Sequence, residues 1–460
     1  MKKYIFLFFA VCAFSVYANA QNRTGDCTSY TSDDRSVTFY LNDSSAIQLR
    51  LCSQSTVRIW FSPDGSFQRS NPSFAVVNED LEDVGTVHVD EQNACYEIFT
   101  PKLRIRVNKS PFNLQIFDKY QKLLFSDYAD KGHISNGQRK LEYKTLRRDE
   151  HFFGLGEKTG KLDRRGEAYK MWNSDKPCYS AVEDPLYKSI PFFMSSYRYG
   201  IFLDNTYKTE FKFGTESRDY YSFEAPGGEM IYYFIFGKDY KEIMKQYVDL
   251  TGKPIMPPKW ALGFAQCRGL LTSEKLSYEI AEGYRKRGIP CDVIYQDIGW
   301  TQYLQDFEWR KGNYENPKKM LADLKDMGFK VMLDLKMFDI PNTVAGGVRS
   351  ACLMGVDLIT LHALGGERMI HAAVDAVRQS AEEGGPKPLL FAVTVLTSMA
   401  PGELPGYGEN LSGLAADIER VHVQRIQDAS PRRMAFQKKI GAEPAAFALN
   451  LWLLFGFILL

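Results

Sequence analysis

The chain has almost no net charge: 57 Lys and Arg stand against 56 Asp and Glu, leaving +1 over 460 residues. No global field therefore draws it to nucleic acid, anionic lipid or a highly charged polymer, and recognition has to be local. Metal-type cysteine spacing is missing too. Of the 8 cysteines, Cys12 lies in the apolar leader and the others are scattered as Cys27, Cys52, Cys95, Cys178, Cys267, Cys291 and Cys352, with none of the paired spacings a zinc site uses. No metal and no cofactor is expected. Cys27 with Cys52 or Cys95 could bond in an oxidising compartment, and buried free thiols account for the same residues. Long hydrophobic runs are scarce as well. The first, Tyr4 to Tyr17, is shorter than the roughly 20 residues a spanning helix needs. The last, Ala445 to Leu460, is broken by Asn450 and reads either as a marginal membrane segment or as a buried or unnatural tail.

What is present begins with a leader. Lys2-Lys3, the apolar run and Ala18-Asn19-Ala20 have the form of a signal peptide cut before Gln21, so an exported protein, periplasmic or secreted, is expected. Val11 ahead of Cys12 is not the small residue a lipid-anchoring site prefers. The 45% hydrophobic and 25% charged composition is that of a globular protein, and the length allows two or three domains.

From about Ser36 to Phe236 short alternating segments dominate, such as Val37-Thr38-Phe39-Tyr40-Leu41 and Leu103-Arg104-Ile105-Arg106-Val107, divided by Asn, Asp, Gly and Pro turns. That pattern predicts antiparallel sheets packed as a sandwich over 21–240. After Lys238 the texture changes. A helix over Tyr240 to Leu250 leads to Pro254, Pro257 and Pro258, and strands then alternate with helices. Strands are predicted at Trp260 to Gln266, Cys291 to Ile298, Lys330 to Lys336, Asp357 to His362 and Leu389 to Leu396. Helices are predicted at Ser273 to Arg287, Pro317 to Met327, Ala345 to Met354 and Glu367 to Glu382. The expected fold is thus an all-β N-terminal sandwich followed by an α/β unit, an incomplete (β/α) barrel of the TIM type with five strands where eight would close it. Residues 425–460 show no such rhythm and stay unassigned.

Several ordered motifs lie in the front part. Phe153-Gly154-Leu155-Gly156-Glu157 is followed by Trp172-Asn173-Ser174-Asp175 and Tyr187-Lys188-Ser189-Ile190-Pro191-Phe192. The barrel opens with Pro257-Pro258-Lys259-Trp260-Ala261-Leu262-Gly263-Phe264, Gln266 and Arg268, and its second strand ends Tyr295-Gln296-Asp297-Ile298-Gly299-Trp300. Over about residues 22–330 the chain resembles glycoside hydrolase family 31, the α-glucosidases and α-xylosidases. The resemblance implies a galactose-mutarotase-like sandwich over 21–240, the first part of a (β/α)8 barrel over 241–330, and an α-linked oligosaccharide or glycoside as partner. It gives Asp297 hydroxyls of the sugar in the reactive subsite, Asp175 a place over the barrel mouth, and Arg268 the orientation of a neighbouring carboxylate. A pyranose has hydroxyls on its rim and apolar faces, so carboxylates and aromatic rings suit it. Each residue also has a plainer reading. Asp297 could cap a turn after a strand, and Asp175 beside Asn173 and Ser174 could be turn chemistry. Glu157, after Gly154 and Gly156, reads as structural. Trp300, Tyr303, Phe307 and Trp309 could stack on sugar or pack in a core. Retaining hydrolysis needs two carboxyl groups about 5–5.5 Å apart. In the family both come from later strands, and no residue here takes either role.

From Val331 the residues change character. Val331-Met332-Leu333-Asp334-Leu335-Lys336-Met337-Phe338-Asp339-Ile340-Pro341-Asn342-Thr343 is followed by Gly355-Val356-Asp357-Leu358-Ile359-Thr360-Leu361-His362-Ala363, Gly365-Gly366, and Ala392-Val393-Thr394-Val395-Leu396-Thr397-Ser398-Met399. Over about residues 331–424 this resembles the central part of orotidine 5'-monophosphate decarboxylase, another (β/α)8 barrel. Asp334 and Lys336, at i and i+2, share a strand face. The resemblance makes Lys336 the proton donor to a carbanion and Asp334 the negative neighbour of the departing carboxylate, with Asp339 completing the charged set. Asp339 and Thr343 would reach a partner subunit, implying a homodimer, and Ser398 would touch the pyrimidine ring of orotidine monophosphate. His362, on an apolar strand, reads as a core histidine. The family's first-strand aspartate, second-strand lysine and phosphate-gripping loops are not found in this chain, so little decarboxylation is expected. The whole reads as a chimera of two parents, each without its full catalytic set, whose barrel edges are left unpaired.

Overall fold

The computed structural model describes residues 23–393, apart from 70–72, 74, 175, 177, 254–255, 269–272 and 304, together with 457–459. It falls into two compact units, Met1–Lys253 and Pro254–Leu460. The expected leader lies outside the described residues, and no helix among them is long and apolar enough to cross a membrane.

The first unit is antiparallel throughout. An eight-stranded sheet runs from Cys27–Ser32 through Thr56–Ser62 and Met230–Phe236 to Phe152–Gly156, beside two five-stranded sheets, Val89–Glu91 to Leu123–Ser126 and His133–Asn136 to Ala168–Met171. The alternation read in the sequence has the expected effect on Leu103–Lys109. Leu103, Ile105 and Val107 enter the core, while Arg104 and Arg106 both reach the carboxylate of Glu97 on the opposite face. Met230–Phe236 is apolar on both faces. Met230, Tyr232 and Phe234 join the sandwich core, and Ile231, Tyr233 and Ile235 pack in a second cluster with Ile243, Tyr247 and Leu250. Those last three belong to the helix Tyr240–Thr251, capped by Asp239, whose side chain accepts from the Glu242 amide at 2.9 Å. The Tyr247 ring stacks on Phe192 with centroids 4.1 Å apart.

Disulfides are not formed: Cys27, Cys52, Cys95 and the other four described cysteines are free. The bonding suggested for Cys27 is corrected by local geometry, since its thiol donates to the Ser29 carbonyl at 3.4 Å and that of Cys95 faces Gln92 at 3.5 Å.

The second unit carries a parallel sheet in chain order: β1 (Ala265–Gln266), β2 (Val293–Gln296), β3 (Lys330–Met337), β4 (Leu358–His362) and β5 (Leu389–Val393). Phe457–Leu459 pairs antiparallel with β5. Helices α1 (Glu274–Lys286), α2 (Pro317–Asp326), α3 (Pro341–Met354) and α4 (Gly366–Glu382) connect the strands. Ser273 and Asn316 cap α1 and α2 through the Leu276 and Lys319 amides, each at 3.1 Å. The five expected strands are all present, and among the described residues they form an open sheet rather than a ring.

Two local expectations are revised. Trp260 to Gln266 is not one strand: Ala261 donates to the Pro258 carbonyl and Gly263 to that of Trp260, winding Lys259–Leu262 into a 3-10 turn and leaving only Ala265–Gln266 extended. An antiparallel hairpin, Thr301–Gln302 with Gln305–Trp309, follows β2 where only loop aromatics were read.

Candidate functional site

The C-terminal ends of parallel strands are where side chains of this architecture converge. Cys267 follows β1, Asp297 follows β2, Asp334 and Lys336 lie late in β3, and Thr360 and His362 lie on β4. The Cys267 thiol donates to Asp297 Oδ2 at 3.2 Å. Asp297 Oδ1 accepts from the Ile298 amide at 2.7 Å, starting the 3-10 turn Ile298–Trp300. Asp297 thus both caps a turn and stands at a strand mouth.

β3 and β4 fall out of register between Leu333 and Met337, and Lys336 takes a left-handed φ of 46°. The break frees two backbone donors, and the buried Thr360 hydroxyl accepts both, from the Leu335 and Lys336 amides at 2.9 Å each. The same hydroxyl donates to Asp334 Oδ1 at 2.7 Å. Lys336 closes on the other oxygen of Asp334 as an ion pair. Trp300, wholly buried, points its indole N–H at the Asp334 carbonyl 3.4 Å away.

The electrostatics join these residues into one cluster. Burial, then the hydrogen bond and charge of Asp297, then the charge of Asp334, push the Cys267 thiol up to about 12. Cys267 is therefore a donor here and no nucleophile. Burial, followed by Cys267 and Asp334, raises the Tyr295 phenol. His362 is lowered by burial and by Lys336, against the pull of Asp334, which keeps it neutral at physiological pH.

Other expected residues stand apart. Arg268 is exposed just beyond β1. Asp339 and Thr343 are exposed at the start of α3, where Asp339 Oδ1 accepts from the Ile340 amide at 2.6 Å. Asp175 and Ser398 lie outside the described residues. Just before Asp175, Asn173 Oδ1 accepts from the Ser189 amide at 2.8 Å, and the Ser174 amide donates to the Leu186 carbonyl at 2.9 Å. The aromatics divide. Trp300 and Trp309 pack with centroids 4.7 Å apart, whereas Tyr303 and Phe307 are exposed. Gly154 is structural, because a Cβ there would lie 2.6 Å from the Phe192 carbonyl oxygen.

Sequence reasoning missed Cys267 and Thr360. The signal for Thr360 was available, as the one hydroxyl inside the apolar strand Leu358–His362.

Residues 46–212 match the glycosyl hydrolase 31 N-terminal galactose mutarotase-like domain, and residues 254–345 match the glycosyl hydrolases family 31 TIM-barrel domain. The front of the chain carries family 31 glycoside hydrolase domains. Alpha-glucosidase 2 of Bacillus thermoamyloliquefaciens is 38% identical over 295 residues, 63% of this chain and 37% of that protein. A GH31 dextranase of Flavobacterium johnsoniae complexed with glucose superposes with a TM-score of 0.69 at 47% identity, over 89% of this chain and 53% of that one. A mutant of the same dextranase, complexed with isomaltotriose, gives 0.65 at 48%, over 81% of this chain and 55% of that one. The rear is homologous to orotidine 5'-phosphate decarboxylase: that of Lawsonia intracellularis is 60% identical over 129 residues, 28% of this chain and 54% of the enzyme. The chain spans roughly a third to a half of these relatives' lengths. The family 31 match runs on to residue 345, through all of β3, a strand that both parental barrels contain.

Proposed function

We propose that this chain binds an α-linked glucoside through its family 31 front and catalyses neither parental reaction. The observation that supports the reading is that the decarboxylase-like Asp334 and Lys336 act on the same Cys267 thiol as the hydrolase-type Asp297. Retaining glycoside hydrolysis needs two opposed carboxyl groups on strands after the second. Here β4 offers Thr360 and His362 instead, and the Asp334 carboxylate is held by Thr360 and Lys336.

The decarboxylase reading has its own support in the Asp334–Lys336 ion pair. Yet β1 and β2, which should hold that family's first aspartate and second lysine, are hydrolase strands. Lys336 therefore keeps Asp334 but lacks the second lysine and the first-strand aspartate that complete that family's site. A recombined or misassembled gene accounts for the join better than an evolved fusion. Sequencing the DNA across the codons for Phe329 to Asp334 tests that origin. The partner of the front is an α-glucoside such as isomaltotriose, and export through residues 1–20 belongs to the same reading.

Calorimetry of the full chain with isomaltotriose, alongside nitrophenol release from aryl α-glucoside and α-xyloside and ultraviolet loss of orotidine monophosphate, tests the proposal. Saturable heat with both assays at buffer level is expected. Turnover in either assay, or no heat at millimolar sugar, overturns it.

A further inference from the structure

Inside the sandwich, far in sequence from the strand-end cluster, four ionisable side chains are sealed from solvent. Asp127, His133, Glu142 and Lys144 each have no exposed side-chain surface. His133 and Glu142 sit opposite one another in the pairing of His133–Asn136 with Arg139–Thr145, and Asp127 forms a backbone bridge with Lys144. The Lys144 ammonium lies 2.6 Å from each carboxylate. The Asp, His and Glu ligand atoms lie within 4.8 Å of one another, but that ammonium is already the cation between the acids.

The imidazole decides the charge state. One ring nitrogen lies 2.9 Å from the Glu142 carboxylate and the other 3.1 Å from Asp127 Oδ2. A neutral imidazole donates from one nitrogen only, so the second would turn a lone pair toward a buried carboxylate. With both nitrogens protonated the tetrad holds two positive and two negative charges and is balanced. With one proton removed, a sealed pocket keeps an unmatched negative charge, which low-dielectric surroundings penalise severely.

We propose that the Asp127–His133–Glu142–Lys144 tetrad is a proton-operated lock on the sandwich, closed while the imidazole carries both protons and released in alkali. The lock joins several elements. Asp127 Oδ2 also accepts from the Leu114 amide at 2.8 Å, and the His133 backbone exchanges hydrogen bonds with the Thr24 hydroxyl at 2.9 and 3.1 Å. Phe61 and Phe112 flank the imidazole at 5.5 Å, so those strands add no charge. From Met230–Phe236 the Tyr232 ring lies 5.2 Å from the Lys144 ammonium, and its phenol is held far above its ordinary range by burial and by Glu142 and Asp127. Tyr221, likewise raised by burial first, stays neutral too. The titrating group of the lock is His133. Burial opposes its charge, but Glu142 and Asp127 outweigh that and raise it from 6.5 to about 9. A raised value in the fold means the stabilisation is complete below about 6.5 and disappears as pH rises through about 9.

Histidine-labelled full chain, titrated by NMR, reads the proton directly. One imidazole of the six is expected to keep both protons until about pH 9. Hydrogen exchange of the peptide spanning 133–145, corrected for intrinsic rate, is expected to lose protection about tenfold per pH unit between 7 and 9. His133→Gln should flatten that slope. All six histidines losing a proton below pH 7.5, or an unchanged protection profile up to pH 10 in the wild-type chain, overturns the lock.

Discussion

The two units of this protein solve the same packing problem with different success. In the sandwich, whose residues 46–212 match one family, buried charges are matched inside the core, as in the Lys144 tetrad. In the parallel unit, whose front resembles one family and whose rear another, the layers on the two sides of the sheet differ sharply. Between sheet and helices, residues of both origins, among them Ile294, Leu321, Val348 and Ile370, form one continuous apolar cluster. On the other face the fully buried set shrinks to Val293, Met332 and Leu358. A strand-helix module carries its own outer packing wherever it is placed, since any such module lays an apolar helix stripe on the sheet. The inner layer and the mouth depend on all the strands of a ring together. Outer structure therefore transfers between barrels, and chemistry does not.

That contrast can be broken most forcefully at Lys144. Lys144→Met leaves Asp127 and Glu142 with only the His133 imidazolium between them and one buried charge unmatched, and a loss of about 3–5 kcal/mol is expected from urea unfolding followed by near-ultraviolet dichroism. A loss comparable to that of an exposed ion pair would mean the sandwich core tolerates unmatched charge. Next is Thr360→Val, which keeps the shape of the side chain but abandons two backbone amides and Asp334. About 1–3 kcal/mol should be lost, read from Trp300 fluorescence on denaturation. An unchanged midpoint would show that the mismatch between β3 and β4 is relaxed without the hydroxyl. The smallest effect is chemical. With its thiol held up to about 12, Cys267 should be alkylated by iodoacetamide at pH 8 far more slowly than the exposed Cys178. Asp297→Asn removes the charge that holds the thiol protonated and should speed labelling of Cys267 several-fold; equal rates would separate Asp297 from the cluster.

Much of the fold was legible in the sequence because its periodicities are local. Leu103–Lys109 alternates as read, and β2 to β5 appear where strand and helix patterns change places. What resisted reading depends on partners distant along the chain. In Arg139–Thr145 the usual rule is inverted: Glu142 and Lys144 face inward and Leu141 and Tyr143 lie nearer the surface. Only the register with His133 and the bridge to Asp127 make that arrangement favourable. Likewise Trp260 looked extended from its apolar neighbours, whereas the Pro258 carbonyl drew the chain into a turn. In the strand-end cluster, Asp297, Asp334 and Lys336 were readable from motifs. Cys267 carried no such signal, since it works by touching Asp297 beyond another strand, and Thr360 stood out only as a hydroxyl in an apolar strand.

The strand Met230–Phe236 acts as a party wall. Neighbouring residues along it belong to different rooms: Tyr232 answers to the space between the sheets, and Tyr233 to the space beneath the helix Tyr240–Thr251. A one-residue slip of this strand would exchange the furnishings of both rooms at once. Its alignment with Thr56–Ser62 on one side and Tyr199–Leu203 on the other is thereby held by two independent cores.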